Sequence, residues 1–402
     1  MTHEILRDIE KGNKASLMKR RIITYYIHNV NSTITDLTKE LDLSVPTVTK
    51  IIDEMCASGY LNIYGKLETN GGRHPNLYGL NPAGGYFVGV EVKRESVNIG
   101  VINFNGELVD KRMDIPYRCE NTYEALDRLC ELINEHIASS GIEPRSVLNV
   151  HISLSGRVNS VTGYSYSYFN LSEQPLTEVL SKKLGLRVSV DNDTRAMAYG
   201  EYLRGIVGSE KNVLFINLSW GLGLGIIING KIFTGKSGFA GEFGHTPVLD
   251  NQLICRCGKK GCLETEVSGS ALIRILKERI LSGESSIVSE MVNGNLDNLV
   301  LNDVVKAVNN EDTLCIDIVE SIGYKLGKQL ASLINIFNPE LVIIGGTLSL
   351  IADYIIEPVK TSIRKHSLNM INNDSVITIS KLKNQAGIVG ACMLARSRVF
   401  EI

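Results

Sequence analysis

Four residues between positions 245 and 262 carry metal-binding chemistry: one imidazole and three thiols. They are His245, Cys255, Cys257 and Cys262. One imidazole and three thiolates form a closed tetrahedral ligand set that suits Zn²⁺. Because four protein ligands leave no coordination position open, we expect this zinc to be structural and not catalytic.

Two glutamates, Glu242 and Glu264, flank the cysteine cluster. Carboxylates held beside a rigid metal cluster can accept the fixed hydrogen bonds that a polyhydroxylated small molecule offers. The sequence therefore predicts a polar ligand site next to the metal. The alternative interpretation is that both carboxylates are solvated surface groups.

The first eighty residues show the pattern of a winged helix-turn-helix. Apolar side chains at helical spacing predict a helix over residues 15–28. Thr35 can cap a second helix, and Ser44 can cap a third helix that carries Pro46 early in its first turn. Two short capped helices separated by a tight turn are typical of helix-turn-helix modules.

The third predicted helix has a short polar outer face that could enter a major groove of double-stranded DNA. Two strand-like runs, 61–64 and 77–80, enclose a glycine-rich loop and predict a wing. The candidate DNA-binding residues on the helix and the wing are Ser44, Pro46, Thr47, Thr49, Lys50 and Arg73. The module is roughly charge-balanced, so a small domain that binds protein is the alternative.

The bulk composition describes an ordinary globular protein of more than one domain. A chain of 402 residues with 44% hydrophobic and 21% charged residues is expected to form two or three domains. A formal net charge of -2 gives no global basic field, so contacts with nucleic acid must be local. Because no long apolar stretch or signal-peptide pattern is present, we expect a cytoplasmic protein without membrane contact.

Five further cysteines are scattered in apolar contexts, and we interpret them as reduced core thiols and not as disulfides. They are Cys56, Cys119, Cys130, Cys315 and Cys392.

After residue 84, a pattern of three strands, a helix and a strand occurs twice. In the first copy the strands are 85–92, 97–103, 108–115 and 147–154, with a helix over 122–139. In the second copy the strands are 213–218, 223–228, 231–234 and 341–344, with a long helix over 316–335. Asn-Gly pairs at 105–106 and 229–230 predict matching hairpins. The repeat indicates two related α/β lobes like those of actin-like sugar kinases, with a ligand between them.

Six segments together resemble the ROK family of repressors, open reading frames and kinases. These segments are 154–158, 190–193, 221–225, 238–245, 255–264 and 344–346. The resemblance implies an α/β protein in which a winged helix-turn-helix precedes a two-lobed, actin-like and ribonuclease H-like sugar-kinase fold. The expected divisions are 1–82 for DNA binding, 83–193 with the C-terminal helix 385–402 for the first lobe, and 194–384 for the second lobe.

The resemblance also implies which residues bind a sugar between the lobes. They are Gly156, Arg157, Asn192, Asp193, Glu242, His245 and Glu264. In similar kinases the residue at the position of Asp193 is the general base that activates a sugar hydroxyl. Asp193 could instead cap the helix that follows it. His245 could use one ring nitrogen for zinc and the other for the ligand.

Two departures from the kinase pattern argue against catalysis. Where similar kinases have the sequence Asp-x-Gly-Gly-Thr-Lys, residues 91–96 contain no glycine, and their charged side chains should block the approach of a phosphate. In the second phosphate loop Leu222 replaces a threonine. Because phosphoryl transfer depends on positioning and charge stabilisation, we expect no catalytic residues and no kinase activity.

These observations lead to the hypothesis of a sugar-responsive DNA-binding regulator, most simply a repressor, that acts as a homodimer or tetramer on operator DNA. A sugar would shift the population of DNA-competent forms. One alternative is an active ATP-dependent sugar kinase with a DNA-binding arm. Another is a sensor that a transport protein, and not a sugar, releases from DNA.

Overall fold

A computed structural model describes residues 13–68, 74–248 and 251–401 of the chain. Contacts divide the chain into two compact units, one formed by residues 1–193 with 391–402 and the other by 194–390. The three-part division expected from the sequence stays a prediction.

The first unit begins with three helices and a two-stranded hairpin. They are α1 (Lys14–His28), α2 (Ile34–Leu41), α3 (Val45–Ala57), β1 (Leu61–Lys66) and β2 (Asn76–Leu80). Their apolar faces form a small core in which Ile22, Ile23, Leu37 and Ile52 are fully buried. The order of elements and the buried faces are those of a winged helix-turn-helix.

The helix boundaries of this module follow from its capping residues. Ser44 caps α3, as predicted, and accepts a hydrogen bond from the backbone of Thr47. The cap of α2 is Thr33 and not Thr35, so that prediction was wrong. Thr33 is favoured because the carboxylate of Asp36, at the third helical position, accepts a hydrogen bond from the Thr33 backbone N–H and completes a capping box.

The rest of the first unit is a five-stranded mixed sheet with helices. Its elements are β3 (Tyr86–Val92), β4 (Ser96–Asn103), β5 (Leu108–Pro116), α4 (Tyr123–Ser139), β6 (Val147–Leu154), β7 (Val158–Asn159), β8 (Tyr164–Ser165), α5 (Leu176–Leu184) and β9 (Val188–Asn192). The strand order is β5-β4-β3-β6-β9, and β6 pairs in parallel with both β3 and β9. β7 and β8 form a separate small ribbon.

The second unit contains a sheet with the same plan. Its elements are α6 (Asp193–Arg204), β10 (Val213–Leu218), β11 (Leu222–Ile228), β12 (Lys231–Ile232), α7 (Glu264–Val267), α8 (Gly269–Leu281), α9 (Val288–Met291), α10 (Leu301–Asn309), α11 (Thr313–Phe337), β13 (Leu341–Gly345), α12 (Ala352–His366), α13 (Asn369–Asp374) and β14 (Val376–Ile379). The last helix, α14 (Ala386–Phe400), begins in the second unit, but its residues from 391 onward belong to the first. The strand order β12-β11-β10-β13-β14 repeats that of the first unit, with β13 parallel to β10 and β14. The predicted pair of related α/β lobes is therefore confirmed.

Each unit has its own hydrophobic core. In the first unit the core lies between the sheet and the helices α4 and α5, with Leu129, Ile133 and Leu180 fully buried. In the second unit it centres on the long helix α11, where Leu326 and Leu330 are fully buried. Among the described residues no helix has the length and apolar character needed to cross a bilayer.

Candidate functional site

The four predicted metal ligands converge at one point in the second unit. His245 ends a single turn of 3₁₀-helix (Phe243–His245), and the three cysteines follow in two short turns. In the first of these turns Gly258 has a φ of +84°, a conformation that favours glycine, and its N–H donates to the carbonyl of Cys255 at 2.9 Å. One ligand atom from each of His245, Cys255, Cys257 and Cys262 lies within 4.8 Å of the others.

The spacing of these ligand atoms fits a tetrahedral cation. The His245 Nδ1 atom lies 3.6 Å from the Cys255 sulfur, and the Cys257 and Cys262 sulfurs are also 3.6 Å apart. Ligands held about 2.3 Å from a zinc ion stand roughly 3.8 Å from one another. Burial raises the pKa of the Cys262 thiol to about 12, and binding to a divalent cation is what deprotonates such a thiol at neutral pH. The cluster can therefore hold a metal ion.

Two glutamates lie beside this cluster, as the sequence suggested. The Glu242 carboxylate is 3.7 Å from the Nε2 atom of His245, the ring nitrogen that does not face Cys255. Glu264 begins α7, is half-buried, and accepts a hydrogen bond from the backbone N–H of Leu222 at 3.1 Å. Glu264 is thus fixed in place by the start of β11 and is not a freely solvated surface group.

In the first unit the sugar-binding candidates gather where β6 and β9 end. Asn192 donates from its side-chain amide to the Asp193 carboxylate and to the Gly156 carbonyl, each at 3.0 Å. Ser155 donates from its hydroxyl to the other carboxylate oxygen of Asp193. Asp193 is the first residue of α6, and its carboxylate is held in place by these two neighbours.

Arg157 belongs to the same region of the first unit, and its side chain is exposed. Its backbone N–H donates to the Ser167 hydroxyl at 3.0 Å. Ser155 was not singled out from the sequence, although it stands inside the segment 154–158 that carries part of the family resemblance. The Ser155–Asp193 contact depends on β6 and β9 being parallel neighbours, which the sequence did not reveal.

The turn between β3 and β4 lies in the segment 91–96, which contains no glycine. The Lys93 N–H donates to the Ser96 carbonyl at 2.9 Å, and Arg94 and Glu95 project from the turn. Glu91 does not project there, because it is buried in the sheet and accepts a hydrogen bond from the Asn98 side chain at 2.6 Å.

The glycines of segment 221–225 allow close packing of a helix on a strand. A Cβ atom on Gly223 would lie 2.3 Å from the hydroxyl of Thr194, and one on Gly225 would lie 2.5 Å from the Cβ of Ala198. Both contacts bring β11 against α6. The side chain of Leu222, which precedes Gly223, is buried.

The predicted DNA-binding face lies on the outer side of α3. Ser44, Pro46, Thr47 and Lys50 are exposed, and Thr49 is half-buried with its hydroxyl donating to the Val45 carbonyl at 2.9 Å. The wing strands pair in antiparallel fashion with Leu61 opposite Leu80. Arg73 lies outside the described residues.

Comparison with known proteins identifies both parts of the chain. Residues 17–62 match the winged helix-turn-helix DNA-binding profile, and residues 87–398 match the profile of the ROK family. The chain belongs to the ROK family. Its ROK domain thus covers most of both units, and a winged helix-turn-helix precedes it.

Relatives of this ROK protein include both regulators and enzymes. The xylose repressor of Caldicellulosiruptor bescii is 31% identical over 366 residues, which are 90% of this chain and 91% of the repressor. The glucokinase of Halalkalibacterium halodurans is 31% identical over 325 residues, which are 78% of this chain and 96% of the kinase. A solved ROK family transcriptional regulator, a homologue of the Escherichia coli MLC protein, is 28% identical with a TM-score of 0.76, covering 92% of both chains.

Proposed function

We propose that this ROK protein is a sugar-responsive, DNA-binding transcriptional repressor. The observation that carries the proposal is the presence of a helix-turn-helix with an exposed polar α3 face on the same chain as a ROK domain. The similarity to a xylose repressor over 90% of the chain supports it, whereas the glucokinase leaves about a fifth of the chain unmatched. A DNA-binding role also favours a cytoplasmic location.

We propose that a sugar binds to the polar groups that the family resemblance implies. From the first unit these are Gly156, Arg157, Asn192 and Asp193, and from the second Glu242, His245 and Glu264. Their carboxylates and amides suit the donor and acceptor pattern of a polyol, and a buried polar group that loses its partner is costly. Asn192, Asp193 and Glu264 are already held by neighbouring groups, which reduces the entropy lost on binding.

We propose that the ion held by His245 and the three cysteines is Zn²⁺ with a structural role. Three thiolates and one imidazole are a soft ligand set that excludes Mg²⁺ and Ca²⁺. The metal would fix the turn that carries His245, whose Nε2 atom lies near Glu242.

A homodimer would place two α3 helices on successive half-sites of an operator.

Two experiments test the proposal: selection of DNA sequences that the protein binds, and measurement of the protein's melting temperature in the presence of sugars. Full-length protein is used to select duplexes from a random-sequence DNA pool, and differential scanning fluorimetry is run with D-xylose, D-glucose and N-acetyl-D-glucosamine. We expect one palindromic DNA sequence to be enriched and one sugar to raise the melting temperature through mass action. Failure to enrich any sequence would contradict the DNA-binding role, and absence of a shift with every sugar would contradict the sugar site.

The second candidate function is an ATP-dependent sugar kinase, favoured by the glucokinase similarity and by the retained carboxylate of Asp193. Against it stand the glycine-free turn after β3 and the buried Leu222 in segment 221–225. Incubation with ATP and the same sugars decides between the two. Sugar phosphate formed by the wild-type protein but not by Asp193→Asn would establish the kinase.

A further inference from the structure

One end of the C-terminal helix α14 is tied to the strand that leads into the proposed sugar site. Arg398 donates to the carboxylate of Asp191 at 2.7 Å, and Asp191 is completely buried. The other oxygen of Asp191 accepts the backbone N–H of Asn192 at 2.7 Å. Arg398 therefore holds the residue that precedes Asn192 and Asp193.

The same stretch of α14 packs tightly on the sheet of the first unit. A Cβ atom on Gly89 would lie 2.3 Å from the backbone nitrogen of Cys392, so the helix rests directly on β3. The Asn149 side chain on β6 donates to the Ala395 carbonyl at 2.9 Å. Since protein interiors are close-packed, there is no empty space between α14 and the sheet, and a displacement of β9 at Asp191 must therefore displace the helix as well.

The last turn of α14 ends among buried aromatic rings that reach the winged helix-turn-helix. We call Tyr60, Phe87, Phe104 and Phe400 the aromatic joint. The Phe400 ring centroid is 5.7 Å from that of Phe104 and 6.0 Å from that of Phe87, both edge to face. Phe104 is in turn 6.1 Å from Tyr60, which precedes the first wing strand β1.

Polar contacts reinforce the joint on both sides. Asn81 donates from its side chain to the Gly59 carbonyl at 2.7 Å and from its backbone to the Tyr60 carbonyl at 2.9 Å. Arg396, one turn before Phe400, donates to the Asn105 carbonyl at 2.8 Å. At the end of the chain Glu401 forms an ion pair with Arg20 on α1. The winged helix and the end of α14 are thus held by one continuous set of contacts.

We propose that the end of α14 transmits the state of the sugar site to the DNA-binding module, with Arg398 as the positioning residue at the sugar end and the aromatic joint at the DNA end. This inference rests on the proposed function. A ligand that moves Asn192 and Asp193 shifts Asp191, and the ion pair between Asp191 and Arg398 then moves the last turn of α14. The movement of Phe400 displaces Phe104, and Phe104 in turn displaces Tyr60. The relay lies wholly within the first unit.

Hydrogen exchange tests the relay without a sugar or an operator. The full chain is compared as wild type, Arg398→Lys and the control Arg364→Lys, which changes an exposed arginine on α12. We expect Arg398→Lys to raise the exchange rate in peptides containing Asp191–Asp193 and also in those containing Tyr60, Asn81 and Phe104. Faster exchange confined to the Asp191–Asp193 peptides would overturn the relay.

Thermodynamic coupling tests its role in regulation. The DNA is the duplex enriched by the wild-type protein, and the sugar is whichever of D-xylose, D-glucose and N-acetyl-D-glucosamine gives the largest thermal shift. The coupling factor is the ratio of DNA dissociation constants with and without the sugar, which is typically about 5 to 150. For Phe400→Leu we expect the coupling factor to be smaller than that of the wild type by at least about fivefold and so to approach one. The affinity for the sugar in the absence of DNA should stay close to that of the wild type.

The control variant is Phe215→Leu, the same substitution at a fully buried phenylalanine in the core of the second unit. It should lower thermal stability but keep the coupling factor. A wild-type coupling factor in Phe400→Leu would overturn the relay. If the wild type itself shows no coupling with any of the three sugars, the proposed function fails, and the exchange experiment still decides whether the contacts transmit a change.

Discussion

The Nδ1 atom of His245 lies 3.6 Å from the sulfur of Cys255, so the imidazole is part of the cysteine cluster. Its other nitrogen lies 3.7 Å from the Glu242 carboxylate. One ring therefore joins a metal-binding cluster to a candidate ligand-binding carboxylate. In metal sites the second ring nitrogen commonly orients the ligand through such a partner. The metal content of the protein and its affinity for the sugar should consequently depend on each other.

Loss of one thiol should remove the metal and loosen the second unit. For Cys257→Ser we expect zinc, measured by plasma emission spectrometry, to fall from about one ion per chain to a small fraction of that. The melting temperature should also fall, since a structural metal contributes to folding free energy. Cys119→Ser, which changes a half-buried thiol of the first unit, serves as the control. Full zinc content and unchanged melting in Cys257→Ser would contradict the metal site.

Removing the charge of Glu264 should weaken sugar binding without affecting DNA binding. Hydrogen bonds to a charged group contribute about 1.5–3 kcal/mol, so Glu264→Gln should lower sugar affinity by roughly tenfold or more in calorimetry. The matched control is Glu266→Gln, which alters the neighbouring carboxylate that pairs with Lys325 at 2.9 Å. Equal losses in both variants would show that the effect comes from α7 as a whole and not from Glu264.

A lysine on the outer face of α3 should contribute to DNA affinity. Lys50 is exposed on that face, one turn after Pro46. If it contacts a phosphate, Lys50→Ala should weaken binding to all sequences alike and lower the slope of log affinity against log salt by about one. Lys39→Ala, which changes an exposed lysine of α2, serves as the control and should have a smaller effect on both the DNA affinity and the salt slope. An unaltered salt slope and affinity in Lys50→Ala would exclude this face from the interface.

The buried Glu91 should make stability depend on pH. Burial raises the pKa of Glu91 above its ordinary value of 4.5, so the folded state holds the proton more tightly than the unfolded state. The stabilisation is present at pH values below 4.5 and is lost as the pH rises through the raised value. Glu91→Gln keeps an oxygen that can accept from Asn98 but cannot ionise. It should melt at a higher temperature than wild type at pH 8 and show little difference near pH 4. A pH-independent difference would refute this reasoning.

Much of the fold could be predicted because its signals are local. Asn105-Gly106 and Asn229-Gly230 form the two hairpins, and the flanking strands β4 and β11 begin within one residue of their predicted starts. The metal ligands were also predictable, since all four stand within a short segment whose turns bring them together. Short-range spacing and turn chemistry were sufficient for these features.

Other features depend on partners distant in the sequence. Arg398 and Asp191 form an ion pair although 207 positions separate them, and nothing in either segment signals the other. Gly223 stands in the segment that resembles a phosphate loop, and its close approach to Thr194 adds a packing role that only the placement of α6 on β11 reveals. The cap of α2 was missed for a local reason, because the Asp36 carboxylate accepts the backbone N–H of Thr33, three residues before it, and so favours Thr33 over Thr35.

The most direct test of the central claim is the affinity for the selected operator, measured by fluorescence anisotropy with and without the sugar that gives the largest thermal shift. We expect the sugar to weaken DNA binding by about five- to 150-fold and, by linkage, the operator to weaken sugar binding by the same factor. Equal DNA affinity with and without the sugar, under conditions in which the sugar demonstrably binds, would contradict the account.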